Sequence, residues 1–196
     1  MESTNYLSTI NKDEIEEIKN NTKYYNDFPK PGIVFYDIFS ILCNVDLSEK
    51  LFSNCANAIN DFLVNTSKTI DVIIGLESRG FLIGTTLARQ LKVPFVPIRK
   101  KKDNHSKLPG KIHSVEYGTE YSKDAFDLQE EPFSLYKKVL LVDDLLATGG
   151  SLKAAQDLCK LAGGEVVAAF CVFRLKDLQG ELKLDDPSSC IGLIDI

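Results

Sequence analysis

The residues with the most chemical promise lie in the segment Val139–Ser151: the acid pair Asp143-Asp144, then Leu145-Leu146-Ala147, then Thr148-Gly149-Gly150-Ser151. Two adjacent carboxylates at the end of an apolar strand suit the cis-diol of a ribose, or a Mg2+ ion bound to that diol. Glycines let the backbone approach an anion closely, and the N–H groups and dipole at a helix start favour a phosphate there. Thr148 and Ser151 add hydroxyl donors. A solvated Asp-Asp on an ordinary glycine turn is the plainer alternative. The coincidence of acid pair, threonine, double glycine and helix start favours the chemical one. Two rival phosphate signatures, G-x-x-x-x-G-K-S/T and G-x-G-x-x-G, occur nowhere in the chain.

Three other stretches carry chemistry. Glu77-Ser78-Arg79-Gly80 follows a β-branched run and precedes a helical one. Arg79 there either caps a neighbouring element or holds an anion beyond a strand end. Arg99-Lys100-Lys101-Lys102, with Lys107 and Lys111, is a strong basic cluster in a chain of net charge -5. It reads as a solvated loop, as an import-like patch, or as a lid that closes over an anion and excludes water. Val34-Phe35-Tyr36 offers aromatic faces to a flat ligand, although Phe35 alone reads equally as core.

The elements that must position these residues follow from periodicity. Residues 9–20 suit a surface helix with Ile15 and Ile18 on one face. Phe28-Pro29-Lys30-Pro31-Gly32 forces a turn into a short extended segment, Ile33–Ile38. Residues 48–64 suit a helix capped by Ser48, and residues 80–91 another. Ile70–Gly75, Val93–Ile98, Lys138–Val142 and Glu165–Phe173 read as strands. The helix after Gly150 places Leu152, Ala155, Leu158, Cys159 and Ala162 on one stripe and ends at Gly163-Gly164. Arg99–Gly118 is polar and reads as a functional or disordered loop. Strands alternating with helices imply an α/β fold with right-handed crossovers and a mostly parallel sheet, whose ligands sit beyond the carboxyl ends of the strands.

The bulk numbers narrow the class. The chain has 196 residues, enough for one domain over 1–196, and its 44% hydrophobic and 26% charged content excludes disordered and collagen-like classes. The acidic balance argues against nucleic acid as a partner. Five cysteines without a C-x-x-C pair, and two histidines, argue against a zinc cluster or a secreted disulfide framework. No apolar run approaches membrane length, so no membrane partner is expected. Met1–Asn20 is acidic, unlike a signal or transit peptide, and a cytoplasmic location is expected.

Val139–Ser151 resembles the phosphoribosyl pyrophosphate (PRPP) motif of the type I phosphoribosyltransferase family, in the wording of its adenine branch. Three further matches fall in the family's order: Phe28-Pro29 with Pro31-Gly32-Ile33-Val34-Phe35, then Gly75-Leu76-Glu77-Ser78-Arg79-Gly80-Phe81, then Glu116-Tyr117-Gly118. Four ordered motifs are far more specific than one, and the likeness spans about residues 9–196. It implies a core of parallel strands flanked by helices. A small hood would come from about 1–40 with the C-terminal tail, and a lid from about 100–118. It implies transfer of phosphoribose from PRPP to adenine in purine salvage, giving AMP and pyrophosphate with Mg2+, in a homodimer. The implied roles are ribose for Asp143 and Asp144, with a metal reached through Asp143. The 5′-phosphate falls to Ala147, Thr148, Gly149, Gly150 and Ser151, and pyrophosphate to Ser78, Arg79, Arg99 and Lys107. Adenine falls to Val34, Phe35 and Tyr36, the lid to Lys100 and Tyr117, and acid/base chemistry to Glu116. Tyr36 stands where the family commonly has arginine. Asp103-Asn104-His105-Ser106 looks inserted before Lys107-Leu108-Pro109-Gly110. A sister enzyme for a 6-oxopurine and a non-catalytic PRPP sensor are the alternatives. The short acidic region before Phe28 disfavours the sensor, which would carry a nucleic-acid-binding module.

Overall fold

The computed structural model describes residues 9–101, 106, 108–119 and 122–196. Helix α1 (Lys12–Asn21) starts at Asn11, whose side chain accepts the Asp13 and Glu14 N–H groups, and buries Ile18. A separate antiparallel hairpin follows, β1 (Lys23–Asn26) paired with β2 (Val34–Asp37). Its turn holds the two prolines and Gly32, which takes φ 83°. After the one-turn helix α2 (Phe39–Leu42) comes α3 (Val45–Thr66). Helix α3 begins before Ser48. Asn44 sits in extended backbone and its side chain accepts the Leu47 N–H, so it is the cap, whereas the Ser48 hydroxyl donates to the Val45 carbonyl inside the helix.

The main sheet is built from β3 (Val72–Leu76), β4 (Phe95–Lys101), β5 (Ile112–Thr119), β6 (Ser122–Gln129), β7 (Lys138–Leu146), β8 (Glu165–Arg174) and β9 (Cys190–Asp195). Helix α4 (Arg79–Leu91) joins β3 to β4, and α5 (Gly150–Leu161) joins β7 to β8. The strand order is β5-β6-β4-β3-β7-β8-β9. The five strands from β4 to β9 in that order are parallel to their neighbours, and β6 and β5 add an antiparallel edge. This is the mostly parallel α/β sheet that the periodicity predicts.

Strand β7 shows why the fold holds. Val139 and Leu141 join a fully buried cluster with Leu152, Ala155 and Leu158 of α5. Leu140 and Val142 join the opposite cluster with Leu51 and Ile59 of α3 and Ile83 and Leu87 of α4. A strand covered on both faces reads as a continuous apolar run, because alternation has no solvent face to mark. Each such side chain contributes about 1.5–3 kcal/mol on burial, so the strand that carries the acid pair is firmly anchored. Among the described residues no helix is long and apolar enough to cross a membrane.

Three features differ from the sequence reading. Strand β7 does not stop at Val142 but runs through both acids to Leu146, because β8 pairs alongside it from Lys138↔Glu165 to Leu146↔Arg174. The polar stretch expected as a loop is largely strand. Arg99 and Lys100 pair with Asp127 and Phe126 of β6, and Ile112–Thr119 pairs with Ser122–Gln129 throughout. Its polar residues alternate with inward ones such as Val115 and Tyr117, which is how a two-sided arm hides its period. The C-terminal tail, expected to help the N-terminal segment form the hood, forms β9 and closes the main sheet against β8. Ile196 lies beside Tyr24 and Tyr36 of the hairpin.

Candidate active site

A cavity of about 700 Å3 opens beyond the carboxyl ends of β3 and β7. Asp143, Asp144, Ala147, Thr148, Gly149, Gly150 and Ser151 all line it, together with Ser78, Arg79, Lys100 and Tyr117. The two acids stand at consecutive positions of β7 and take different partners. Asp144 is 2% exposed, and its Oδ2 lies 2.9 Å from Nε of Arg79. That atom lacks a hydrogen-bonded partner, so the contact is ionic rather than an aligned hydrogen bond. Asp143 Oδ1 accepts the Asp144 N–H at 2.9 Å.

Burial pushes the Asp143 carboxyl well above the usual carboxylate range, and the charge of Asp144 pushes it further. Burial raises Asp144 as well, with the Arg79 guanidinium opposing. The two titrate as a pair that resists carrying two charges until something positive enters the cavity. Among the described residues no group of three or more His, Cys, Asp or Glu side chains could hold a metal ion. Two carboxylates beside a phosphate cradle still fit a Mg2+ ion that arrives on substrate oxygens, since that ion takes one or two carboxylates and keeps the rest for phosphate and water.

The helix starts around the cavity are built differently from those away from it. Helices α1 and α3 are capped by Asn11 and Asn44 side chains. Helices α4 and α5, which begin at the cavity, have no side-chain cap: Ser78 and Gly149 leave their first amides open. Gly149 takes φ 77°, a left-handed conformation that aims the turn into α5. Two open amide clusters on one cavity suit a ligand with two anionic ends.

The remaining expected residues divide. Arg99 does not line the cavity: its Nε lies 3.1 Å from Glu77 Oε2, which also accepts the Lys100 N–H at 2.6 Å. Tyr117 stacks on Phe126 with ring centroids 4.3 Å apart and its hydroxyl meets Ser151. Burial pushes that phenol up to about 12. Glu116 is exposed and stands outside the cavity lining, because β5 turns alternate side chains to opposite faces. Lys107 lies outside the described residues.

The same alternation splits the expected base pocket. Phe35 faces the cavity side, with the Arg79 guanidinium 5.2 Å from its ring centroid and Phe28 edge-on at 5.2 Å. Val34 and Tyr36 face the other way, into a second cleft of about 440 Å3 shared with Tyr24 and Phe173. None of the three lines the cavity; Phe35 alone has its side chain on that side, against Arg79. Sequence reasoning missed Phe39 and Lys183, which also line the cavity. Phe39 lies just past a recognised motif and was within reach. Lys183 sits in a short turn far along the chain with no local signal.

A family model of the phosphoribosyl transferase domain matches residues 47–194. The chain is 43% identical over 173 residues to an adenine phosphoribosyltransferase of Candida albicans, covering 88% of this chain and 86% of that protein. Its fold is similar to adenine phosphoribosyltransferase from Saccharomyces cerevisiae, complexed with D-2,5-dideoxy-2,5-imino-altritol 1,6-bisphosphate and adenine. The TM-score there is 0.79 at 36% identity, covering 93% of this chain and 99% of that one. It is similar also to the Giardia lamblia enzyme complexed with 9-deazaadenine, with TM-score 0.79 and 29% identity, covering 93% of this chain and 97% of that one.

Proposed function

The chain belongs to the phosphoribosyltransferase family, in its adenine branch, and from that premise we infer that it moves the 5-phosphoribosyl group of PRPP onto adenine, giving AMP and pyrophosphate. It is an enzyme of purine salvage. The observation that carries the chemistry is the meeting, in one cavity, of a raised carboxylate pair with two uncapped helix starts.

In this reading the amides and hydroxyls of Ala147–Ser151 anchor the 5′-phosphate, and that remote grip orients the anomeric carbon. The bond from that carbon to pyrophosphate breaks, and its electron pair leaves with the pyrophosphate. A bond to the base nitrogen forms as that nitrogen gives up its proton to the carboxylate of Glu116. Asp143 and Asp144 hold the ribose hydroxyls and face the sugar while it is most cationic, which suits a pair whose charges are otherwise ill-tolerated. Ser78, Arg79 and Lys100 receive the pyrophosphate. For that, Arg79 exchanges its contact with Asp144 for the incoming anion. Bound with PRPP, Mg2+ would be held through Asp143 and would neutralise pyrophosphate charge. Phe35 stacks on adenine, while the backbone of Val34 and Tyr36 reads its amine edge.

Lys107 keeps the pyrophosphate role that the family resemblance implies, and Arg99 and Tyr117 belong to the arm that closes the site. Glu116 serves there as the acid/base group once the arm folds inward. Glu116→Gln then lowers turnover sharply with an unchanged melting temperature, and unchanged turnover removes the role. A homodimer and a cytoplasmic setting complete the proposal, the latter supported by five free cysteines. The test is an assay of purified protein with PRPP, Mg2+ and each of adenine, hypoxanthine, guanine and xanthine. AMP from adenine alone is the expected result. Product from a 6-oxopurine redirects the specificity, and PRPP binding without product from any base makes the protein a sensor.

A further inference from the structure

We propose that Lys183 binds the 5′-phosphate of PRPP and supplies the positive charge that the glycine-rich motif itself lacks. This rests on the phosphoribosyl reading of the site. The motif offers that phosphate amides and two hydroxyls, all neutral, and sets two carboxylates close by. Among the described residues lining the cavity, the cations are Arg79, Lys100 and Lys183. Arg79 is paired with Asp144, and Lys100 follows Arg99 at the Glu77–Ser78 end, where pyrophosphate is received. A substrate charged at both ends therefore meets Lys183 at the other.

Its placement comes from the backbone. Lys183 ends a 3-10 turn, Gly180–Lys183, that follows β8. Gly180 lies directly against Ala147 and Gly149. A methyl group on either glycine would collide with the backbone of the other, so the turn and the phosphate loop are locked as one unit. The side chain is uncommitted. Its basic neighbours Lys153 and Lys160 take Asp185, Arg174 and Lys176 take Asp195, and Lys68 takes Asp186. Lys183 makes no ion pair or hydrogen bond among the described residues. It is an exposed lysine on a flexible stem, free to follow a phosphate entering the loop.

The test separates the two ends of the substrate. Calorimetric titration of the full chain with ribose 5-phosphate, and separately with pyrophosphate, is run on wild type, Lys183→Ala, Lys183→Gln and Lys183→Arg. We expect about tenfold weaker binding of ribose 5-phosphate for the Ala and Gln variants, near-complete retention for Arg, and unchanged pyrophosphate affinity. The KM for PRPP rises by the same factor while the KM for adenine and the melting temperature stay put. Ribose 5-phosphate binding equal to wild type in both neutral variants overturns the assignment, as does an equal loss for pyrophosphate. A wild type that binds ribose 5-phosphate yet makes no AMP defeats the enzymatic reading alone, and the titration still decides Lys183.

Discussion

Aspartates stand beside both ends of β7 under opposite conditions. At the amino end, Asp71 accepts the N–H groups of Lys138 at 3.0 Å and Lys137 at 3.1 Å, and those bonds hold its carboxyl below the usual range. At the carboxyl end, burial pushes Asp143 and Asp144 above that range. One end uses its acid to fasten β3 to β7. The other keeps two acids where their charge is disfavoured, the arrangement that clusters at ligand sites.

The pH signatures of the two ends are opposite. The folded pKa of Asp71 is depressed, so its stabilisation is present above the unfolded value of about 3.9 and is lost as pH falls through the folded one. For the acid pair the folded pKa is raised, so the folded state binds more protons. Stability then declines as pH rises from about 3.9 through the raised folded value.

The strongest way to break this contrast is Asp143→Asn. The amide oxygen can still accept the Asp144 N–H, but the charge is gone. We expect kcat/KM to fall about a hundred- to a thousandfold, while the melting temperature at neutral pH rises by about 2–4 °C. Steady-state kinetics with calorimetry reads both, and a variant that keeps its activity or melts lower contradicts the contrast. Next comes Gly149→Ala, which forces a side chain into φ 77° and against the Gly180 backbone. It should cost about 2–3 kcal/mol in denaturant unfolding and abolish tight ribose 5-phosphate binding. A mild effect on both would show that the loop is not held in place by its partner turn.

At the amino end, Asp71→Asn should cost about 1 kcal/mol after allowance for solvent screening, with kcat unchanged. Its difference from wild type should shrink as pH falls from about 3.9 through the lowered folded value, and a change in kcat would tie the two ends together. The smallest effect is expected from Tyr117→Phe. Its phenol, raised to about 12, stays protonated through the neutral range. The pH–rate profile should therefore keep its shape while the KM for PRPP rises about threefold from one lost hydrogen bond. A displaced profile would make Tyr117 a titrating participant.

Much of the frame was legible because it is periodic. Helices α4 and α5 and strands β3, β7 and β8 bury whole faces, and a buried face imposes its spacing on the residues that make it. The misreadings share a cause. Ser48 looks as good a cap as Asn44 until backbone angles decide between them. The arm reads as loop because its strands alternate polar with modestly apolar residues. The end of β7 is set by how far β8 runs beside it, which no residue of β7 records.

What the chain determined locally is the phosphate cradle: Thr148, the two glycines and Ser151 are consecutive, and their conformation follows from their own backbone freedom and the helix they begin. Folding in three dimensions decided the rest. It set Arg79 against Asp144, turned Phe35 rather than Tyr36 towards the cavity, and brought Lys183 to the loop through Gly180. It also raised the acids, since their burial is set by elements that sequence distance keeps apart, whereas the charge of Asp144 beside Asp143 was adjacent from the start.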